Sequence, residues 1–280
     1  MNVLITGVSG FLGGETFKYL ASSHNVYKLK SQNGGYSSLH LEHGKKIDAI
    51  IHFGWLGGSN SKDVNSIEQF DNIKTCIDLF RLIKESGIKK FIFITSTWEN
   101  SLQFGLNNYG FCKAKAREIL QEMASRSGVQ LITACPWWVY GPNDRANRLI
   151  PSIISKCLNN ETVELHPAQN LVDYIYVSDF SEGIKIILEK AFDDESQNYY
   201  DICLGQGYKI KDVVDKIKSL SFSKSKILYT KEYPSNFNMI WIGNSNKLKK
   251  LGWEPKTNLS EGLIKTIGQI RESSSRHFVL

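Results

Sequence analysis

The 280-residue sequence predicts an α/β protein, with a parallel sheet covered by helices on both faces and a smaller C-terminal lobe. Three observations predict it. Short β-branched runs alternate with longer amphipathic stretches. A glycine turn joins the first such run to the first helical stretch. The alternation then stops near residue 204, where Tyr- and Asn-rich loops begin. At roughly 150 residues per domain, the length suits one large domain or two closely joined ones.

Taken in chain order, strands are expected at 3–6, 26–29, 49–53, 91–95, 131–134, 174–177 and 200–203. Each is a short apolar run rich in β-branched or aromatic residues. Between them, apolar residues spaced three and four apart predict helices at about 11–22, 63–86, 108–126, 149–158 and 179–191. Two more helices, at about 210–219 and 260–272, surround a sharp stop at Leu251-Gly252-Trp253-Glu254-Pro255. The expected sheet domain takes 1–141 and about 174–203; the second lobe takes 142–173 and 204–280.

Composition narrows the function. Lys and Arg number 34 against 28 Asp and Glu, a net charge of +6 without a basic block. That mild excess argues weakly for nucleic acid, for which no motif is present, and suits an anionic small molecule as well. No apolar run approaches the ~18 residues of a membrane span. Met1-Asn2-Val3-Leu4-Ile5 leads straight into the glycine turn, without the basic region or cleavage site of a signal peptide. A cytoplasmic chain with no membrane partner is expected. The five cysteines form no C-x-x-C pair and are expected as buried free thiols. His40 and His43 stand in a polar stretch without a carboxylate–cysteine cluster, so no metal is expected.

Thr6-Gly7-Val8-Ser9-Gly10-Phe11-Leu12-Gly13 follows a strand and opens a helix. Gly7 permits the tight turn, Gly10 lets backbone approach a pyrophosphate, and Gly13 lets the helix pack close to the sheet. Phe11 and Leu12 then lie at the helix N-terminus, whose unpaired N–H groups and partial positive charge favour phosphate. In its T-G-x-x-G-x-x-G spacing, the turn resembles that of the extended short-chain dehydrogenase/reductases, which include nucleotide-sugar epimerases, dehydratases and ketoreductases. The resemblance implies a doubly wound sheet of the Rossmann type, a nicotinamide cofactor and a nucleotide-diphospho-sugar substrate.

The second strand bears on the cofactor. An NAD site calls for a carboxylate at its end, to bond the ribose 2′-hydroxyl. This chain reads Val26-Tyr27-Lys28-Leu29-Lys30-Ser31, with no acid until Glu42. Lys30 and Ser31 together suit a 2′-phosphate, which favours NADP(H) over NAD(H); a solvated lysine at the strand end is the alternative.

Tyr109-Gly110-Phe111-Cys112-Lys113 places a phenol and an ammonium one helical turn apart, on one face. The cation lowers the phenol pKa from about 10. The tyrosine then suits proton exchange with a carbonyl or alcohol oxygen during hydride transfer. The family resemblance implies a third member, a hydroxyl at the end of the preceding strand. Thr97 matches it best and Ser96 second. The family's 4,6-dehydratases have Thr-Asp-Glu here, with the Asp as acid. Thr97-Trp98-Glu99 lacks that acid and is similar to the CDP-4-keto-6-deoxyhexose reductases, the abequose and paratose synthases. Glu99 is left as a base or as a solvated loop residue.

Other segments extend the resemblance over the whole chain. Asp48-Ala49-Ile50-Ile51-His52-Phe53-Gly54 is similar to the family's strand end beside the cofactor, with His52 a structural or cofactor-side residue, and Asn72 matches a structural asparagine. Val139-Tyr140-Gly141-Pro142-Asn143-Asp144 resembles the entry to the substrate lobe, with Arg145 and Arg148 as candidate diphosphate ligands. Cys135 and Trp138 replace the family's Arg and Asn, and Val172 replaces its diphosphate-binding Arg, while Gln169 matches a reductase-like variant. Leu251-Gly252-Trp253-Glu254-Pro255 matches the family's ending. Together these imply a nucleotide-sugar 4-reductase. Its rivals are a 4-epimerase on tightly bound NAD and a silent dinucleotide-binding sensor or scaffold. Related enzymes pair two helices per subunit, which implies a homodimer through 63–86 and 108–126.

Overall fold

A computed structural model describes residues 1–31, 35–36, 46–57, 63–99, 107–165, 170–193, 198–229 and 240–276. The expectations for Gln169, Glu42 and the pair His40 and His43 lie outside the described residues. The chain opens with β1 (Asn2–Thr6), α1 (Phe11–Leu20), β2 (Asn25–Leu29) and β3 (Ala49–His52). A 3₁₀ turn (Ile67–Phe70) then leads into α2 (Asp71–Glu85), followed by β4 (Lys90–Ile94), α3 (Asn108–Ser125) and β5 (Gln130–Pro136). Next come β6 (Trp138–Tyr140), α4 (Leu149–Leu158), β7 (Val163–Leu165), β8 (Leu171–Val172), β9 (Tyr174–Tyr176) and α5 (Val177–Lys190). The last stretch holds β10 (Tyr199–Ile202), β11 (Tyr208–Lys209), α6 (Ile210–Leu220), β12 (Ile227–Tyr229), β13 (Ile240–Trp241), α7 (Asn246–Lys250) and α8 (Leu259–Arg276).

Two compact units result. The first comprises 1–136, 181–202 and 246–253; the second comprises 137–180, 203–245 and 254–280. Relative to the expected division, 137–141 and 174–180 go with the second unit and 246–253 with the first.

The first unit is built on a six-stranded sheet of order β10-β5-β4-β3-β1-β2, every pair parallel. Successive residues point to opposite faces, so Leu4, Ile50 and Phe91 share one face and Ile5, Ile51 and Ile92 the other. The first set joins Cys76, Leu79, Phe80 and Ile83 of α2 and Ala116 and Leu120 of α3 in a buried cluster. On the other side, Thr16 Oγ1 of α1 meets Ser181 Oγ of α5 at 3.4 Å. Trp253 is fully buried against Gly183 of α5, so the Leu-Gly-Trp-Glu-Pro stop is a piece of this core. The chain leaves β1 toward β2 on one side and returns to β3 on the other. That reversal is where ligands bind in open parallel sheets, outside the carboxyl ends of the strands.

The second unit uses short strands: β6 pairs β9, β7 pairs β12, and β8 lies between β11 and β13. The run expected as a sheet strand at 174–177 is β9, three residues long and paired only with β6; Val177 already starts α5. Buried Asp173 holds the unit's loops, accepting hydrogen bonds from Leu204 N and Gly205 N at 2.8 Å each. Asp179 does the same for Thr257 N at 2.8 Å.

Candidate functional site

Each expected site residue of the first unit can be traced to an element end. At the glycine turn, Gly7 has φ +67°, and a Cβ there would stand 2.7 Å from Gly54 N. A Cβ on Gly13 would lie 2.4 Å from Gly7 O. Both positions therefore exclude any side chain. Gly10 is the N-cap of α1, with no side-chain cap and no acidic residue in the first turn. The N–H groups of Phe11, Leu12 and Gly13 thus lack a capping carboxylate or hydroxyl, and the helix dipole at that end favours an anion. This turn fits a dinucleotide diphosphate.

Beside the turn, His52 is wholly buried. Its Nδ1 lies 2.7 Å from Thr6 Oγ1 and its Nε2 3.5 Å from Cys76 Sγ, with the Phe93 ring stacked on it. Burial first, and the Lys113 charge second, push its pKa down to about 3, so it is neutral. Thr6 Oγ1 in turn accepts Gly54 N at 2.9 Å. The His52 side chain therefore faces the interior and shapes the turn through Thr6. Asn72 is structural in the same sense: it accepts from Leu56 N at 2.7 Å and donates to Leu56 O at 3.1 Å. At the end of β2, Lys30 and Ser31 are both exposed.

Tyr109 and Lys113 lie on α3, and both are buried. Asn107 caps this helix by accepting Gly110 N at 2.7 Å, while Tyr109 N donates to Val64 O at 2.9 Å. A Cβ on Gly110 would stand 2.4 Å from Trp98 O, so the first turn of α3 abuts the backbone just after Thr97. Lys113 Nζ donates to Ile94 O, the last residue of β4, at 2.8 Å. It also sits 3.9 Å from the centroid of the Trp55 ring and 5.2 Å from that of Phe93. Desolvation lowers its pKa to about 8; Cys76, Glu99 and Cys135 oppose that shift. A cation with one carbonyl partner and two aromatic faces thus stands one helical turn from a phenol.

The hydroxyl segment is buried at Thr95, Ser96 and Thr97, with Trp98 half-buried. Ser96 Oγ accepts Trp98 N at 3.3 Å, a local turn contact. Glu99 is not the solvated loop residue considered from the sequence. Its side chain is 2% exposed, accepting from Thr95 Oγ1 at 2.7 Å, Arg117 Nε at 3.0 Å and Tyr199 OH at 2.9 Å. Two residues of this neighbourhood escaped sequence reasoning. Trp55 carries no motif, since a tryptophan after a strand-end glycine reads as packing. Asn107 was legible as a helix N-cap, one residue before an amphipathic run.

In the second unit, Trp138 stacks edgewise on Tyr174 and Trp241. Among the described residues, neither its Nε1 nor the buried Tyr174 hydroxyl has a hydrogen-bond partner. Both line a small cavity with Asp144 and Arg148. Burial raises the Asp144 pKa, Arg148 opposes that, and the Arg148 Nε–Asp144 Oδ2 distance is 3.7 Å. Arg145 is exposed, and its N–H donates to Asp144 Oδ1 at 2.8 Å. Val172 is buried, so no arginine stands at that position. All five cysteines are free and buried. No helix among the described residues is long and apolar enough to cross a membrane.

Known proteins resemble this chain in sequence and in fold. The chain is 28% identical, over 95% of its length, to a trifunctional UDP-glucose 4,6-dehydratase/UDP-4-keto-6-deoxy-D-glucose 3,5-epimerase/UDP-4-keto-L-rhamnose-reductase of Arabidopsis thaliana. It spans only 46% of that protein. It is 25% identical to a CDP-abequose synthase of Yersinia pseudotuberculosis, over 71% of this chain and 78% of the other. The fold matches a UDP-glucose 4-epimerase from Thermotoga maritima crystallised with UDP-glucose (TM-score 0.79, 20% identity, 98% of this chain and 100% of that one). It also matches RMD from Pseudomonas aeruginosa complexed with NADPH (TM-score 0.80, 18% identity, 97% and 99%). The model of the NAD dependent epimerase/dehydratase family matches residues 3–203, from the first strand through the Tyr109–Lys113 helix to the last strand of the sheet. The chain therefore belongs to that family, as an NAD(P)-dependent enzyme of the extended short-chain dehydrogenase/reductase type.

Proposed function

We propose that this enzyme is an NADPH-dependent 4-reductase of a nucleotide-diphospho-4-keto-6-deoxyhexose, acting in deoxysugar synthesis. The observation that carries the reading is the fate of the carboxylate nearest the Tyr109–Lys113 face. Position 98 is a tryptophan, and Glu99 is held by Thr95, Arg117 and Tyr199. Loss of water from the sugar calls for an acid and a base beyond the tyrosine; reduction of a ketone calls for one proton donor. Among the described residues, this site offers one.

A nicotinamide cofactor held at the glycine turn would supply the hydride. The protein supplies everything else. Tyr109 gives its phenolic proton to the keto oxygen as negative charge develops there, and the Lys113 cation favours the phenolate left behind. Thr97 donates a hydrogen bond to the same oxygen, with Ser96 and Trp98 beside it. Gly7, Gly10, Phe11, Leu12 and Gly13 hold the diphosphate of NADP(H), Lys30 and Ser31 its 2′-phosphate, and Lys113 the nicotinamide ribose. In the second unit Trp138, Arg145, Arg148 and Gln169 hold the nucleotide-sugar. The unpartnered Trp138 Nε1 and Tyr174 hydroxyl support that assignment, because buried donors of this kind call for a polar ligand atom. A homodimer through α2 and α3 is supported by the exposed Ile67 and Phe70 just before α2.

Both relatives named above bear on the reading, one through its named UDP-4-keto-L-rhamnose-reductase activity and one as a CDP-abequose synthase. The test is NADPH oxidation on CDP- and dTDP-4-keto-6-deoxyglucose, with NADH in parallel. Stoichiometric NADPH loss is expected, and Tyr109→Phe should lower kcat by about 10³-fold with cofactor affinity nearly unchanged. A new sugar isomer without NADPH loss would instead identify a 4-epimerase, and inertness toward every keto sugar a silent binder.

A further inference from the structure

Trp55 follows Gly54 just beyond β3, and its indole is anchored at its Nε1 edge. Its Nε1 donates to Gln69 Oε1 at 2.8 Å. Gln69 is itself buried, and its amide is committed to the backbone oxygens of Gly57 and Asp63. The ring therefore has one orientation. From there it meets both members of the α3 pair, with Lys113 Nζ 3.9 Å from its centroid and the Tyr109 ring edge-on at 6.0 Å and 83°.

We propose that Trp55 is a positioning residue for Lys113. Its π face holds the ammonium as a cation, on the helix face it shares with Tyr109. Lys113 is 3% exposed and, among the described residues, has a single hydrogen-bond acceptor, Ile94 O. The groups facing it from each packed element are weak counter-charges. Cys76 of α2 is a thiol whose pKa burial raises to about 12, and His52 of β3 is neutral. Cys135 of β5 is also buried, Tyr109 shares the helix, and Glu99 is engaged by Arg117. An ammonium so placed has lost hydration, and among the described residues no carboxylate bonds it directly, Glu99 acting only at longer range. The ring quadrupole replaces part of that loss, and cation–π contacts are strongest where the cation is desolvated. Desolvation brings Lys113 to about 8, close to the pH at which its charge is needed. Stabilisation of the ammonium by the ring therefore favours the charged form.

The inference rests on the proposed role of Lys113 at the cofactor, so its first readout needs no sugar. Dissociation constants of NADPH and NADH are measured from pH 6.5 to 9.5 for the wild type, Trp55→Leu and Trp55→Phe, with thermal melts to confirm folding. A cofactor that binds the ammonium form loses affinity about tenfold per pH unit above the lysine pKa. The wild-type curves should break near pH 8. Trp55→Leu should break about one unit lower, and Trp55→Phe, which restores an aromatic face, within about half a unit of wild type. The kcat/KM profile on the 4-keto sugar should shift in parallel. An unchanged break in Trp55→Leu, or a loss of affinity uniform with pH, overturns the proposal, as does a wild type that binds neither dinucleotide. A shifted break with no sugar reduced leaves Trp55 in its role and removes the reductase reading instead.

Discussion

Lys113 and Glu99 are buried charges near the carboxyl end of β4, and they are held in different ways. Glu99 accepts three hydrogen bonds from Thr95, Arg117 and Tyr199, one of them from a cation. Burial, with the nearby Cys135 and Glu99 charges, pushes the Tyr199 phenol far up, so it stays a donor to the carboxylate. Lys113 has one carbonyl and two ring faces. A buried charge whose partners are complete costs little to keep and does nothing further; a buried charge left short of partners has a shifted pKa and is free to meet a ligand. The proposed division is structure for Glu99 and chemistry for Lys113.

The sharpest way to break that contrast is to neutralise each residue in turn. Lys113→Met should lower kcat/KM for the keto sugar by about 10²- to 10³-fold, with melting temperature nearly unchanged. Glu99→Gln should do the reverse. It leaves the partly exposed Arg117 without its counter-charge, at about 2–3 kcal/mol, which lowers the melting temperature by roughly 5–10 °C. Its turnover at low temperature should stay within about threefold of wild type. Thermal melts and steady-state kinetics on the same preparations decide it. A Glu99→Gln enzyme that is stable but inactive would make Glu99 the missing acid or base.

The two residues were unequally legible in the sequence. Tyr109-x-x-x-Lys113 announces itself, because helical spacing puts both on one face whatever else the fold does. The glycine turn is legible for the same reason, since Gly7 and Gly13 sit where backbone contact tolerates nothing larger. Glu99 is different: its burial depends on Arg117, eighteen residues further along, and on Tyr199, a hundred residues further along, and no local pattern encodes that meeting. The main strands and helices followed from periodicity. The two-residue strands β8, β11 and β13 did not, being too short to show a period. Trp253 was read as a stop in the second lobe, yet its side chain completes the first unit's core. Long-range packing, which sequence periodicity does not carry, placed it there.

His52 extends the comparison to a group kept neutral. It titrates at 6.5 in the unfolded chain and at about 3 when buried. The unfolded chain therefore takes up a proton below pH 6.5 that the folded protein refuses. The stability tied to this residue is intact above pH 6.5. It is lost as pH falls from 6.5 toward 3, at up to ~1.4 kcal/mol per pH unit. Urea titrations between pH 4.5 and 7.5 should show His52→Asn with a slope shallower by about one proton. An identical slope would mean that the ring is hydrated in solution, and that the Lys113 surroundings are less dry than the cation–π argument requires.

The hydroxyls above Glu99 test where structure ends and chemistry begins. The Trp98 backbone, just after Thr97, abuts the first turn of α3, whereas Ser96 caps its own turn through Trp98 N. Thr97→Ala should cost about 30-fold in kcat, the loss of one hydrogen bond to a developing charge, and Ser96→Ala about threefold or less. The opposite ranking would move the oxygen-binding hydroxyl one residue back along the segment.

Lys30 is the exposed counterpart of Lys113, and it should show the smallest effect of the set. Exposed just past β2, it has little desolvation to recover and offers a ligand chiefly its charge. A single charge-assisted contact to a 2′-phosphate is worth about tenfold in affinity. Lys30→Ala should therefore raise the dissociation constant of NADPH about tenfold and leave that of NADH within about twofold. The NADPH effect should also shrink with added salt, as an exposed contact must, whereas the effect of Lys113→Met should not. If both dinucleotides weaken equally, Lys30 acts on the turn and not on the phosphate, and the cofactor preference must come from elsewhere in the chain.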